Sequence, residues 1–226
     1  MSEHPTGSPV SLTARIDQPR RWSWLYKWIL VIPHLFVLAF MWAAFVVLTL
    51  IAFVAIVFTG RYPRWAFDFN VGVLRWSWRV QLYAFSLSTD RYPPFSIGAE
   101  PEYPSSLEVA YPEHLSRGLV WVKSWLLAIP HLIIVCILVG GVQLTVGLTG
   151  ILALVAAVAL AAKHEYPPSV FDLLVGIYRW AFRVVAYVAL MTDEYPPFRL
   201  DQGPDEPPAP VVPSASVVPP TAPAAA

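Results

Sequence analysis

The spacing of apolar and polar positions changes period several times along the chain and then starts over. Val10, Leu12, Ala14 and Ile16 alternate with Ser11, Thr13, Arg15 and Asp17, a period of two that predicts a short half-buried strand. From Arg20 to Ile32 the spacing becomes helical, with Trp22, Leu25, Trp28, Ile29 and Ile32 on one face. Tryptophan beside cations is the composition of a membrane–water boundary. From Ile29 to Phe58 the periodicity disappears because nearly every side chain is apolar, His34 being the strongly polar exception. An apolar run of about 18 residues or more reads as a transmembrane helix. Pro33 suits a first helical turn, where its missing N–H costs no hydrogen bond. A helix from Pro33 to Phe58 extends roughly 39 Å, enough to cross with some tilt. Gly60 and Tyr62-Pro63 end it.

The next helix, Trp65 to Leu87, has a different pattern. Asp68, Gly72, Arg75, Arg79, Tyr83 and Ser86 follow one another at three- and four-residue steps and so share one face. Most of the remaining surface is Trp, Phe, Val and Leu. One charged stripe on an apolar helix predicts a span whose polar face looks into protein or a polar cavity.

The whole series then recurs. Ile32-Pro33-His34 returns as Ile129-Pro130-His131, Phe67-Asp68 as Phe171-Asp172, and Gly72 as Gly176. Arg75-Trp76, Arg79-Val80 and Tyr83 return as Arg179-Trp180, Arg183-Val184 and Tyr187, and Thr89-Asp90 with Tyr92 to Phe95 as Thr192-Asp193 with Tyr195 to Phe198. Leu107, Val109 and Tyr111 repeat the strand. The expected organisation is a disordered N-terminus (1–9), a first membrane repeat (10–98), a linker (99–106), a second membrane repeat (107–200) and a disordered Pro/Ala-rich tail (201–226) with little to bury. The second long helix, Pro130 to Ala162, carries Gly140, Gly141, Gly147 and Gly150, read as a packing face because glycine lets helices approach closely in lipid.

Composition agrees with this pattern. Of 226 residues, 57% are hydrophobic and 13% charged, against about 25% charged in soluble domains, and the mean hydropathy is +0.56. The polar stretch before Arg20 and the length of the apolar run argue against a cleaved secretory signal. The single cysteine, Cys136, excludes an internal disulfide. The zero net charge gives no basis for nucleic-acid binding.

If the second helix of each repeat crosses, the repeat ends carry Arg15, Arg20, Arg21, Lys27, Arg91, Arg117, Lys123 and Arg199, and the opposite side carries only Arg61, Arg64 and Lys163. The positive-inside rule then favours four transmembrane helices as two parallel two-helix repeats related by an axis along the membrane normal. The alternative is a second helix that lies flat at the interface, which would invert the repeats and even out the charges between the two sides. The expected fold class is thus an all-α membrane protein with cytoplasmic termini and short cytoplasmic β-strands.

The Pro-His before the long helix, the Tyr-Pro and Phe-Asp after it, the Arg-Trp-x-x-Arg-Val-x-x-Tyr core and the Thr-Asp-x-Tyr-Pro-Pro-Phe close resemble a bacterial multi-pass membrane family, domain of unknown function 4389, in two tandem copies. The second copy departs from the first in having His164-Glu165 where Gly60-Arg61 stands. The resemblance implies a bacterial cell (inner) membrane location and carries no activity.

The candidate site residues are therefore Asp68, Arg75, Arg79, Asp172, Arg179 and Arg183. They are read as a charge-paired inter-repeat seam or as a cationic cluster for an anionic lipid headgroup, since Arg binds phosphate bidentately. Tyr92, Phe95, Tyr195 and Phe198 are read as interfacial anchors. His34 and His131 invite an axial-ligand reading, but a Pro-His at a helix start is an ordinary boundary feature and the sequence shows no carboxylate to orient the imidazole. No nucleophile–base pair, phosphate loop or metal cluster is visible, so neither metal, cofactor nor catalysis is expected. The function expected is a non-enzymatic membrane accessory or scaffold protein that packs against lipid, a membrane-protein partner or a second copy. The alternative is a small anion or lipid transporter or channel using the arginine stripe as a path.

Overall fold

The computed structural model describes residues 8–17, 19–20, 22–122, 126–139, 147–163 and 165–200. The expectations for residues 1–7, the tail 201–226, Arg21, Lys123, Gly140, Gly141 and His164 lie outside the described residues.

The order is β1 (Val10–Ala14), α1 (Trp24–Leu30), α2 (Ile32–Thr59), α3 (Arg64–Val80), β2 (Ser105–Val109), α4 (Leu119–Val122), α5 (Ile129–Val139), α6 (Leu148–Lys163) and α7 (Pro168–Val188). α3 runs on through one wide π-type turn, Gln81–Phe85. Gly60 ends α2 in the left-handed conformation, φ 71°, which glycine adopts without steric cost. Leu87 (φ 57°) and its copy Leu190 (φ 63°) take the same unusual conformation after α3 and α7. Both leucine side chains are buried, which offsets the local strain.

α3 and α7 form the centre of the molecule. Trp78 meets Tyr178 and Phe182 across their interface, at ring distances of 5.6 and 5.9 Å. The strands pack on α3 and α7, whereas α2 packs against α3, and α5 and α6 against α7. The two strands pair antiparallel with Leu12 opposite Leu107. Val10, Leu12, Leu107 and Val109 face the core, and Ser11, Thr13, Ser106 and Glu108 face outward, as the alternation predicts.

Three expectations are corrected. First, the repeats are not parallel. Equivalent strands paired antiparallel are related by a twofold axis normal to their sheet. The helices obey the same axis: the Tyr166 hydroxyl at the start of α7 donates to Ser86 O at the end of α3, while Leu115 N donates to Gly60 O, and Ser116 N to Asp193 past the end of α7. α3 and α7 therefore run antiparallel. Lys27, Arg91 and Lys163 gather at one end of the helix axes and Arg61, Arg64 and Arg117 at the other, so charge counting no longer selects an orientation or places both termini together.

Second, four membrane-crossing helices are not supported. Among the described residues one helix, Ile32–Thr59, is long and apolar enough to cross a membrane, with mean hydropathy 2.7 and 17% of its window buried inside the protein. α3 and α7 are the central packed helices, buried over most of their lengths. Third, Pro130 to Ala162 is not one helix. Ten helical residues separate their ends by about 15 Å, yet Thr149 Oγ1 lies 3.5 Å from Val139 O. α5 and α6 together, at 11 and 16 residues, nearly match the 28 of α2.

Candidate functional site

The arginine stripe is occupied by the chain's own backbone. Ala110 N bonds Pro9 O and Arg15 N bonds Pro104 O, so by the alternation of an antiparallel ladder Leu12 and Leu107 form a pair whose carbonyls point to the two sheet edges. Arg75 Nε donates to Leu107 O at 3.0 Å, and Arg179 Nε to Leu12 O at 3.0 Å. Each repeat's arginine thus caps the open strand edge of the other repeat. Arg75 also pairs with Glu108. Arg79, 2% exposed, donates to Gly98 O at 3.2 Å and to Ser96 O, with Glu100 3.8 Å away. Arg183 is equally buried, 4% exposed, beside a small cavity it lines with Ser8, Thr192 and Glu194.

The structure does not bring Asp68 or Asp172 to these arginines. Both acids are exposed, because the sheet and the return segment after Pro-Pro-Phe lie over the stripe's glycine–arginine part, and the acids fall at its open start. The carboxylates beside Arg75 and Arg79 are Glu108 and Glu100. Substituting Asp68→Asn is expected to leave thermal stability within about 0.5 kcal/mol of wild type. Arg75→Lys and Arg179→Lys are each expected to lower stability by about 1–2 kcal/mol, since lysine keeps the charge but loses the planar fork that reaches a carbonyl. Chemical denaturation in detergent measures both effects.

The Tyr-Pro-Pro-Phe segments close over the two histidines. Phe95 stacks on His34 at 4.0 Å and Phe198 on His131 at 4.2 Å, with Tyr92 and Tyr195 at 4.8 and 4.7 Å. Trp76 Nε1 donates to His34 Nδ1 at 3.1 Å. In the second copy Tyr195 Oη lies 3.3 Å from His131 Nδ1, and Nε2 lies 3.1 Å from Pro196 O. These contacts make each histidine the peg of an aromatic clamp. The anchor residues have a second side as well: Tyr92, Phe95, Tyr195 and Phe198 remain 43%, 52%, 43% and 59% exposed.

Sequence reasoning missed the ion pair that the Thr-Asp motif makes. Lys27 in α1 is fully buried, and its Nζ lies 2.7 Å from Asp90 Oδ1. Asp90 Oδ2 also accepts Arg20 N at 2.8 Å, as Asp193 Oδ2 accepts Ser116 N at 2.7 Å in the second copy. Part of the signal was available, since Asp90 recurs as Asp193. Lys27 gave none, because it lies on the face of the helix opposite Trp22, Leu25, Trp28, Ile29 and Ile32. The fold leaves that apolar face exposed and buries the lysine.

On the flank away from the sheet, a groove of about 360 Å³ runs between α2 and α5. Leu38, Trp42 and Val135 line it, and Ser77, Gln81 and Tyr178 lie at its floor. Around it the exposed residues of α2, α5 and α6 are mostly large hydrophobics, among them Phe36, Phe40, Leu50, Phe58, Ile137 and Leu154.

The fold therefore defines a tandem-repeat protein with an apolar helical flank and a polar sheet flank; its duplicated aromatic motifs close each repeat on itself, and Arg75 and Arg179 tie each repeat to the strand of the other. The chain belongs to the family described as domain of unknown function (DUF4389), whose model matches twice, over residues 21–96 and 120–199. No curated protein and no solved structure matches it.

Proposed function

We propose that the protein is a non-catalytic membrane protein of the scaffold or accessory kind, held in lipid by its helical flank and offering its polar sheet flank to water-side partners. The observation that carries this reading is the composition of α2: 28 residues, one buried stripe of His34, Leu38, Phe45, Ala52 and Ile56, and an exposed remainder that is almost wholly apolar. An unpartnered apolar surface of that size is a lipid or protein contact. The groove between α2 and α5 suits an acyl chain lying against Ser77 and Gln81. The proposal gives the arginines no transport role, because Arg75, Arg79 and Arg179 are engaged with backbone carbonyls and Arg75 and Arg79 also sit beside glutamates.

The test is membrane extraction. The full-length protein is expected in the membrane pellet after washing with alkaline carbonate and with high salt, and in solution only after detergent. Release by salt or carbonate without detergent would overturn the reading.

A further inference from the structure

We propose, on the basis of that membrane reading, that the protein sits in a single phospholipid leaflet, entered from one side, with its helices lying along the membrane plane and the pseudo-twofold axis along the membrane normal.

α2 and the polar sheet flank lie level with each other on opposite sides of α3. Along α3, His34 meets Trp76, Trp42 bonds Ser77, and Thr49 bonds Asn70; α2 runs the length of α3 on one flank. The segment from Ser96 to Tyr111, which includes β2, runs the length of α3 on the other flank. Arg79 holds Ser96 and Gly98, Arg75 holds Leu107, and Tyr111 reaches Phe67 and Tyr62 O. Leu115 then bonds Gly60 at the end of α2. Phe67 to Arg79 is about 18 Å of helix. If α2 crossed a bilayer along its axis, this stretch would lie at hydrocarbon depth. There it would expose a two-stranded sheet and the side chains of Glu100 and Glu108, which are 37% and 54% exposed. Open sheet edges and exposed carboxylates are not found in lipid.

Turning the molecule so that the helices lie flat removes the conflict. The twofold axis is normal to the sheet, so an element on the far side from the sheet in one repeat is on the far side in the other. α2 and the α5–α6 pair therefore form one apolar layer about a helix thick, roughly 10 Å, which is the depth to which in-plane helices bury. The rim has the expected composition. Trp22, Trp28, Trp65 and Trp121 are 52–60% exposed, and basic residues flank both ends of the helices: Arg91 and Lys163 at one, Arg61, Arg64 and Arg117 at the other. Such a rim suits the headgroups of one anionic leaflet. The inverted repeat, awkward for a crossing protein, becomes the arrangement that puts both copies into the same leaflet.

The experiment uses the full chain with Cys136→Ala, in intact cells and in sealed inside-out vesicles, labelled with a membrane-impermeant maleimide. Single cysteines are placed at Glu102→Cys near one end of the helices, Glu113→Cys near the other, Ser106→Cys on the sheet, and Phe40→Cys and Val54→Cys on α2. The three sheet-flank positions are expected to label from the same side, at least tenfold faster than from the other, with the α2 positions protected until detergent is added. Labelling of Glu102→Cys and Glu113→Cys from opposite sides would show a crossing and overturn the proposal while leaving the membrane reading intact. Protection of Ser106→Cys from both sides would overturn it in favour of a copy-on-copy contact through the sheet. Free labelling of Phe40→Cys and Val54→Cys in intact membranes would also overturn it. Loss of the protein from the carbonate-washed pellet would instead remove the membrane reading on which it rests.

Discussion

Asp90→Ala is expected to lower unfolding stability by about 3–5 kcal/mol, the size of effect seen when one member of a buried ion pair is removed. Lys27 is fully buried, and burial, opposed by Asp90, already pulls its pKa below the ordinary lysine value. Without Asp90 a cation is left stranded under Trp-rich α1. Burial alone would raise the pKa of Asp90, but hydrogen bonds from Lys27, Ser23 and the Arg20 amide hold it below the ordinary carboxylate range. A depressed folded-state pKa contributes stability above the unfolded value of about 3.9, and that contribution is lost as pH falls through the folded value. Denaturation midpoints in detergent across the acid range measure this: wild type is expected to lose stability on acidification more steeply than Asp90→Ala. A Lys27→Met, Asp90→Ala double variant should recover much of the loss, because no unpaired charge remains.

Gly72→Ala and Gly176→Ala are each expected to cost about 1–3 kcal/mol, the first slightly more than the second. A Cβ at Gly72 would stand 2.7 Å from Ile97 Cβ and 2.8 Å from Ile97 O. At Gly176 it would meet Leu200 Cβ and Leu200 O, both at 2.9 Å. The obstacle in each case includes backbone, which cannot swing aside as a long side chain can. The return segment must lift off the helix, weakening the contacts of Ser96 and Gly98 with Arg79. A thermal scan in detergent reads the destabilisation. Gly98→Ala, whose Cβ would meet only the Ser96 hydroxyl at 3.3 Å, is the matched control and should cost well under half as much.

The sequence by itself determined the local grammar of this protein. The period-two stretches became β1 and β2, the apolar run became α2 to within a residue or two at each end, and the stripe from Gly72 to Arg79 does share one face that looks into protein. The duplication was legible residue by residue, since identical local demands leave identical letters. The tertiary structure decided what that face meets. Leu12 O and Leu107 O, the acceptors for Arg179 and Arg75, are backbone carbonyls, and a backbone carbonyl has no letter in the sequence. Charge logic therefore went to Asp68 and Asp172, the nearest acids on the helix, and passed over Glu100 and Glu108 in the linker and strand. The inverted relation of the repeats was equally hidden. It follows from the pairing of two short strands in two distant parts of the chain, and alternation reports which side of a strand is buried but not the direction of its neighbour.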